Sequence, residues 1–190
     1  GAIYHITCRL VGAWRAGDRE LFVDDRDRWR FLDTLATRVD GFGVRLHQYV
    51  LMQNHTHLVI ETPRGNCSAF MQSLLTAYTV YFNLRHRRHG HLFDGRFKAR
   101  LVEGDAYLLG LSRYVHLNPV RLSEFQDAPE DALKRLRMYT WSSYLPYIGR
   151  RKRLPFVTYS PTLAQMDGPA AERPGRYRAF VESGIEDADE

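Results

Sequence analysis

Residues 44–62 constrain the fold more than any other stretch of this 190-residue chain. The segment reads VRLHQYVLM, then Gln53-Asn54, then HTHLVIET, and both outer runs are rich in apolar, β-branched and aromatic residues. Such runs are typical of strands, and the two polar residues between them predict a turn. We therefore expect two neighbouring strands in the middle of the chain.

Helical patterns flank this strand pair. In DDRDRWRFLDTLATRVDGFG, which starts at Asp24, apolar residues recur at helical spacing, and Gly41 and Gly43 follow the predicted end. The predicted stripe is Trp29, Leu32, Leu35 or Ala36, and Val39. A second helical pattern runs from Ser68 to about Arg88 and stops at Gly90. Its apolar positions are Phe70, Leu74, Ala77 or Tyr78, Tyr81 and Phe82.

Strand patterns at residues 2–12 and 97–102 complete the order β-α-β-β-α-β. This order is the split βαβ or ferredoxin-like arrangement, an α+β fold with an antiparallel sheet. We expect both helices on one face of the sheet. The other face would stay available as a platform for single-stranded nucleic acid.

A further helix is predicted after the fourth strand, with Asp105 as its N-cap and AYLLGLSRYVHLNP as its body. Its apolar stripe is Leu108, Leu111 and Val115. We expect it to end at Asn118, because a residue before proline is driven out of the α region. Tyr114 and Asn118 stand one turn apart on the same side. They could be a buried tyrosine and a capping residue, or a hydroxyl nucleophile and an amide ligand of a metal ion.

His55 and His57 lie two apart in the third predicted strand, so their rings share one face while Leu58 and Ile60 point to the other. Two imidazoles make half of a metal site. Two histidines are too few ligands for a closed structural zinc site, and no Cys-x-x-Cys or His-Glu-x-x-His motif accompanies them. The plainer alternative is a pair of strand histidines without a ligand, and in either case we expect both rings at the surface.

Charge favours a polyanionic partner. The chain has 27 Lys and Arg against 22 Asp and Glu, a net charge of +5 and a pI near 9.4. The excess is concentrated in RHRRHGHLFDGRFKAR at 85–100 and RRKR at 150–153, where a solvated basic helix end is the alternative to nucleic-acid binding. The candidate DNA-binding residues are Arg85, Arg87, Arg88, His91, Arg96, Lys98 and Arg100.

A cytoplasmic setting without a membrane partner is expected. No apolar run approaches the roughly 18 residues that a bilayer crossing needs, and the N-terminus lacks a signal-peptide layout. Cys8 and Cys67 are too few for a disulfide framework. Because strand-like sequence begins by residue 3, we expect the natural start to lie upstream of Gly1.

Three motifs carry a family resemblance: His55-Thr56-His57 after VLMQN, GHLFDGRFKA at 90–99, and RYVHLNPVR at 113–121. Over roughly residues 2–148 the chain resembles the HUH single-strand transposases with one catalytic tyrosine, especially the REP-associated tyrosine transposases. It departs from their pattern at Thr56, where relatives usually have a bulky hydrophobic residue, and at Gln53, which is often proline.

The resemblance implies an HUH-type catalytic domain over residues 1–121. Amphipathic patterns predict a helical extension over 122–190, and its charge predicts that the acidic tail EDADE is exposed or disordered. The resemblance also implies an enzyme that binds hairpin DNA from palindromic repeats and cuts single strands beside it. Tyr114 would be the nucleophile, forming a 5′-phosphotyrosine. His55, His57 and Asn118 would bind Mg²⁺ or Mn²⁺, which suit mixed imidazole and oxygen ligands.

Several alternatives stay open from sequence. The chain could act as a monomer or a homodimer, with Tyr114 serving its own histidines or those of a partner. A domesticated hairpin DNA- or RNA-binding protein without chemistry is the second functional class. A zinc hydrolase is disfavoured, because no general-base carboxylate stands at a fixed offset from the histidine pair.

Overall fold

The computed structural model describes residues 1–12, 20–121, 125 and 128–185; the acidic tail at 186–190 lies outside them. The strands are β1 Ala2–Arg9, β2 Arg45–Leu51, β3 His55–Thr62 and β4 Lys98–Val102. The helices are α1 Asp25–Phe42, α2 Cys67–Arg85, α3 Asp105–Leu117, α4 Pro129–Met138, α5 Tyr144–Tyr147, α6 Ser160–Leu163 and α7 Arg173–Ser183. Among the described helices, none has the length and apolar character needed to span a membrane.

The four strands form one antiparallel sheet in the order β2-β3-β1-β4. Together with the element order, this confirms the predicted ferredoxin-like α+β fold. β4 lies at one edge of the sheet. At the other edge, single bridges from Ser142 and Val157 to Val50 and Leu46 bring the C-terminal segment against β2.

The main hydrophobic core lies on the face of the sheet that packs against α1 and α2. Leu58 and Ile60 of β3 join Phe31 of α1 and Phe70 of α2 in this cluster. The C-terminal helices contribute fully buried aromatic residues to the same cluster: Tyr144, Tyr147 and Tyr177. The division of the chain at residue 121 stays a prediction.

The second face of the sheet is not wholly free, contrary to expectation. Val50 and Val59 of the strands pack against Leu111 and Val115 of α3 in a separate apolar cluster. The expectation was wrong because the amphipathic α3 must bury its stripe against some apolar surface, and this face offers one. The β1–β4 side of the same face keeps half-buried and exposed polar side chains.

α1 begins as its sequence indicates, but it continues through Gly41 to Phe42, and its buried face differs from the predicted one. Asp24 caps it by accepting from the Asp27 amide at 3.2 Å, and Gly43 ends it at φ +63°. Trp29, which was predicted to lie in the stripe, is 56% exposed and meets Trp141 edge-on. Phe31 is fully buried in the core.

α3 begins one residue earlier than predicted and ends as predicted, with Asn118 as its C-cap, although the conformation of Asn118 differs from the expected one. Gly104 precedes the helix, and Asp105 is its first residue and makes no capping hydrogen bond. Asn118 keeps α-region angles, φ −50° and ψ −39°, although Pro119 follows. The steric preference against this conformation is a bias that buried contacts can outweigh, and Asn118 is only 9% exposed. The chain then tightens into a 3₁₀ turn over Asn118–Val120.

His116 ties α3 to the C-terminal part of the molecule. The ring is completely buried, with Nδ1 2.7 Å from the Tyr177 hydroxyl and Nε2 2.8 Å from the Ser143 hydroxyl. Burial lowers the pKa of His116 to about 3, so the ring stays neutral. α3 is therefore held by the sheet through its apolar stripe and by α7 through this histidine.

Candidate active site

β3 presents His55 and His57 on the same side of the sheet as α3. The two ring centroids are 5.0 Å apart and the ring planes are nearly perpendicular. Thr56 between them points to the core face and is fully buried opposite Cys8. His55 is half-buried, but His57 is only 4% exposed. The expectation of two surface rings was therefore wrong for His57, which other rings surround.

α3 and the turn after it bring two further predicted residues to the histidines. Asn118 Oδ1 lies 3.1 Å from His55 Nε2. The Tyr114 ring is 5.6 Å from the His57 ring, centroid to centroid, and is half-buried. The four residues that were singled out by the motifs thus come together within one chain.

Two β1 side chains that sequence patterns did not single out reach Nδ1 of His57. His5 Nε2 lies 2.9 Å away and the Thr7 hydroxyl 3.3 Å away. Thr7 pairs with His57 across the antiparallel strands, so His5, two residues earlier, lies diagonally opposite on the same face. The alternation of side chains along β1 was the available signal for His5. Only the register between β1 and β3 shows that His5 reaches His57.

Burial lowers the pKa of each of the three histidines. For His57 the pKa falls to about 3, and the nearby His55, His5 and Arg9 add to the effect of burial. Burial is also the main cause for His55 and for His5; contact with Asn118 partly opposes it at His55. Neutral imidazoles are the form that binds metal ions.

The distance between two of the donor atoms is compatible with a shared divalent ion. Two ligands at about 2.1 Å from an octahedral ion are about 3 Å apart along an edge, close to the 3.1 Å between His55 Nε2 and Asn118 Oδ1. His57 adds a second imidazole on the same face. No group of three or more His, Cys, Asp or Glu able to hold a metal is found in the described ranges. The set therefore depends on the amide of Asn118, and its role as a ligand stays a prediction.

Cations border the histidines. Arg9 is the cross-strand partner of His55, and Arg100 that of His5. The Arg121 guanidinium lies 4.9 Å from the centroid of the Tyr114 ring. Of these three only Arg100 was selected from sequence, because the other two lie outside the basic run. A positive border of this kind favours a phosphate group.

Most of the predicted DNA-binding residues lie on the surface between α2 and β4. The exposed ones are Arg87, His91, Arg96, Lys98 and Arg100. Lys98 pairs with Thr7, so it shares the sheet face of the histidines. The Asp94 amide donates to the Arg9 carbonyl at 2.8 Å, which ties the loop before β4 to the end of β1. This basic surface therefore adjoins the histidine site.

Arg85 and Arg88 have protein partners. Arg85 donates to Asp24 at 2.7 Å and also to Asp27, which is completely buried and contacts His86 Nε2 at 2.9 Å. The Arg88 guanidinium lies 5.8 Å from the Phe82 ring. Arg85 thereby links the end of α2 to the start of α1, and the part of both arginines in DNA binding stays a prediction.

Known proteins share the fold and the sequence pattern. Residues 2–118 match the family model described as IS200-like transposase. Among solved structures, a REP-associated tyrosine transposase bound to a REP hairpin is similar, with a TM-score of 0.61 over 90% of each chain. At 14% identity this likeness shows the fold. No curated protein matches the chain in sequence.

Proposed function

This chain belongs to the IS200-like transposase family, and we propose that it binds hairpin DNA and cuts the adjoining single strand through Tyr114, with the help of a divalent metal ion. The observation that carries the proposal is the meeting of Tyr114 with His55, His57 and Asn118. Because all four belong to one chain, the proposed site needs no residue from a second subunit.

In the proposed reaction the Tyr114 hydroxyl oxygen attacks the scissile phosphorus and gives up its proton. The bond from phosphorus to the 3′ oxygen breaks, and that oxygen takes up a proton, leaving a free 3′-hydroxyl and a 5′-phosphotyrosine. Attack by a 3′-hydroxyl on the phosphotyrosine reverses the step and joins the strands. The number of phosphodiester-type bonds is conserved, so no nucleotide cofactor is required.

The protein residues would orient the reacting groups. His55, His57 and Asn118 would hold Mg²⁺ or Mn²⁺, which when bound acts as a Lewis acid toward the phosphate oxygens. Tyr114 is placed by α3 against the His57 ring, and its side chain is partly exposed, so that a substrate could reach it. Arg121 above the Tyr114 ring would stabilise negative charge on the phenolic oxygen and the phosphate.

Two observations support DNA as the partner. The basic surface from Arg87 to Arg100 adjoins the histidine site, so a strand bound along it would pass the tyrosine. The similar transposase structure contains a REP hairpin, and we extend that class of ligand to this chain. Contacts to the phosphates would position the DNA, and contacts to the bases would read the target sequence.

A covalent adduct tests the proposal. A hairpin with a single-stranded flank, labelled at its 3′ end, is incubated with the protein and Mn²⁺, and the mixture is separated under denaturing conditions. We expect a labelled protein band whose DNA-bearing peptide contains Tyr114, and we expect the band to disappear in Tyr114→Phe. Hairpin affinity should stay close to that of the wild type, because the ring remains.

Tyr107→Phe is the matched control, since Tyr107 lies two turns earlier on α3 and is 50% exposed. It should form the adduct like the wild type. If only the Tyr107 variant failed to form the adduct, Tyr107 and not Tyr114 would be the nucleophile. Tight hairpin binding with no adduct under any divalent ion would instead favour a binding protein without chemistry.

A further inference from the structure

His5 contacts the candidate metal ligand His57, and the geometry of this contact suits a hydrogen bond in the plane of the rings. Its Nε2 is 2.9 Å from His57 Nδ1, the ring centroids are 5.0 Å apart, and the ring planes differ by 25°. Two nearly coplanar rings at this distance meet edge to edge through the two nitrogens. The pairing of β1 with β3 holds the rings in this relation.

A histidine that binds metal through one nitrogen usually donates its other N–H to a fixed partner, and this partner sets the tautomer. With Nδ1 of His57 directed at β1, its Nε2 is the nitrogen left for an ion. Nε2 has a free lone pair only when the proton of the neutral ring is on Nδ1. The group that receives this proton must therefore be an acceptor.

We propose that His5 is a positioning residue, which accepts the Nδ1 hydrogen of His57 and thereby keeps His57 Nε2 free to bind the divalent ion. This inference rests on the proposed metal role of His57. Thr7 is the second candidate acceptor, but its hydroxyl is farther from Nδ1, at 3.3 Å. His5 also meets the Tyr114 ring edge-on, with centroids 5.9 Å apart, so one side chain orders two members of the site.

Three variants separate the alternatives. His5→Phe keeps a ring but removes the acceptor, and His5→Gln offers an amide oxygen at a similar reach. Thr7→Val removes the alternative acceptor hydroxyl with little change of shape. Mn²⁺ affinity is measured by electron paramagnetic resonance without DNA. We expect His5→Phe to weaken it by about 10- to 100-fold, His5→Gln to restore most of the loss, and Thr7→Val to bind almost like the wild type.

A measurement on the metal-free wild type does not depend on how well any variant folds. With ¹⁵N-labelled histidine, long-range nitrogen–proton spectra report which ring nitrogen of His57 carries the proton. We expect the Nδ1–H tautomer in the wild type and in His5→Gln, and a mixture with the Nε2–H tautomer in His5→Phe. An Nε2–H tautomer in the wild type would overturn the inference.

The outcomes distinguish this inference from the proposed function. If the wild type binds Mn²⁺ through His57 and His5→Phe binds it equally well, His5 has no positioning role while the proposed enzyme stands. If the wild type binds no Mn²⁺, the metal role of His57 and the role of His5 fail together. Tyr114→Phe should bind Mn²⁺ normally, so loss of cutting in that variant does not bear on His5.

Discussion

At the scale of single residues, Asn118 is the C-cap of α3 and also directs its side chain to His55. Its backbone lies at the end of α3, where its carbonyl accepts from the Arg121 amide at 3.4 Å. Its side-chain oxygen meanwhile faces His55. The α-region conformation before Pro119 makes both possible, because an extended residue at this position would turn the amide away from α3 and its neighbours.

Substitutions at Asn118 test its proposed part in metal binding. Asn118→Ala removes the oxygen, and we expect Mn²⁺ affinity to fall by about tenfold or more, as for loss of other groups that order a metal site. Asn118→Asp supplies a charged oxygen in the same place and should bind at least as tightly as the wild type, because hard cations prefer carboxylates. Isothermal titration of Mn²⁺ into each variant measures the difference.

Equal affinity in the wild type and Asn118→Ala would remove Asn118 from the ligand set. The thermal midpoint of each variant is the necessary control. Asn118 is almost fully buried, so a loss of metal affinity counts only where the variant remains folded at the temperature of the titration.

At the scale of secondary-structure elements, the end of α2 has a structural task in addition to its charge. Arg85 bridges Asp24, the cap of α1, and the buried Asp27, while His86 contacts the same Asp27 carboxylate. The basic loop starts from this junction, and Arg87 follows with φ +51°, a left-handed conformation that is unusual for a residue with a side chain. The junction therefore fixes where the exposed cations begin.

Arg85 and Arg87 form a matched pair for separating stability from DNA binding. Arg85→Met leaves Asp27 with fewer charged partners in a buried position, so we expect a lower thermal midpoint. Arg87→Met should leave the midpoint near the wild-type value and weaken DNA binding, because Arg87 is exposed. Thermal unfolding and hairpin titrations on both variants measure the two effects. A lower midpoint in Arg87→Met together with weaker DNA binding in Arg85→Met would contradict this division.

Sequence periodicity was sufficient to predict the order of the elements, because that order depends on local patterns. The joint role of the three motifs was expected from the family resemblance, because contacts between residues far apart in the chain leave no local pattern. The two-residue repeat placed His55 and His57 on one face, and the helical repeat placed Tyr114 above Asn118. His5 was missed because its importance depends on the register between β1 and β3, a contact between residues 52 apart in the chain. Trp29 was misplaced because Phe31 competes for the same interior, and periodicity does not rank the two.

At the scale of the whole molecule, the two basic runs, at residues 85–100 and 150–153, lie in separate regions of the described structure. One extends from the loop after α2 along β4 and adjoins the histidine site. The other is the exposed run at residues 150–153, which leads to the bridge between Val157 and the β2 edge. β2 and β4 are the opposite edges of the sheet. A DNA strand bound beside Tyr114 would therefore follow the first region.

Salt dependence distinguishes the two regions. Each phosphate contact contributes about 0.7 to 0.9 to the slope of log affinity against log salt. We expect the combined change Arg96→Gln, Lys98→Gln and Arg100→Gln to reduce the slope by about 2 to 3. The matched control is Arg150→Gln, Arg151→Gln and Arg153→Gln, which removes the same charge. A larger reduction in the control would place the DNA on the β2 side.

The attachment of α3 has a consequence for how strands could be exchanged. The apolar stripe of this helix is buried against the sheet, and His116 on the helix is hydrogen-bonded inside the C-terminal region. Rotation of the helix would expose the stripe and break both histidine bonds. A DNA end joined to Tyr114 would consequently be held at a fixed position, and the incoming 3′ end would have to move to it. The path and flexibility of the DNA around α3 would then determine how readily the strands are rejoined.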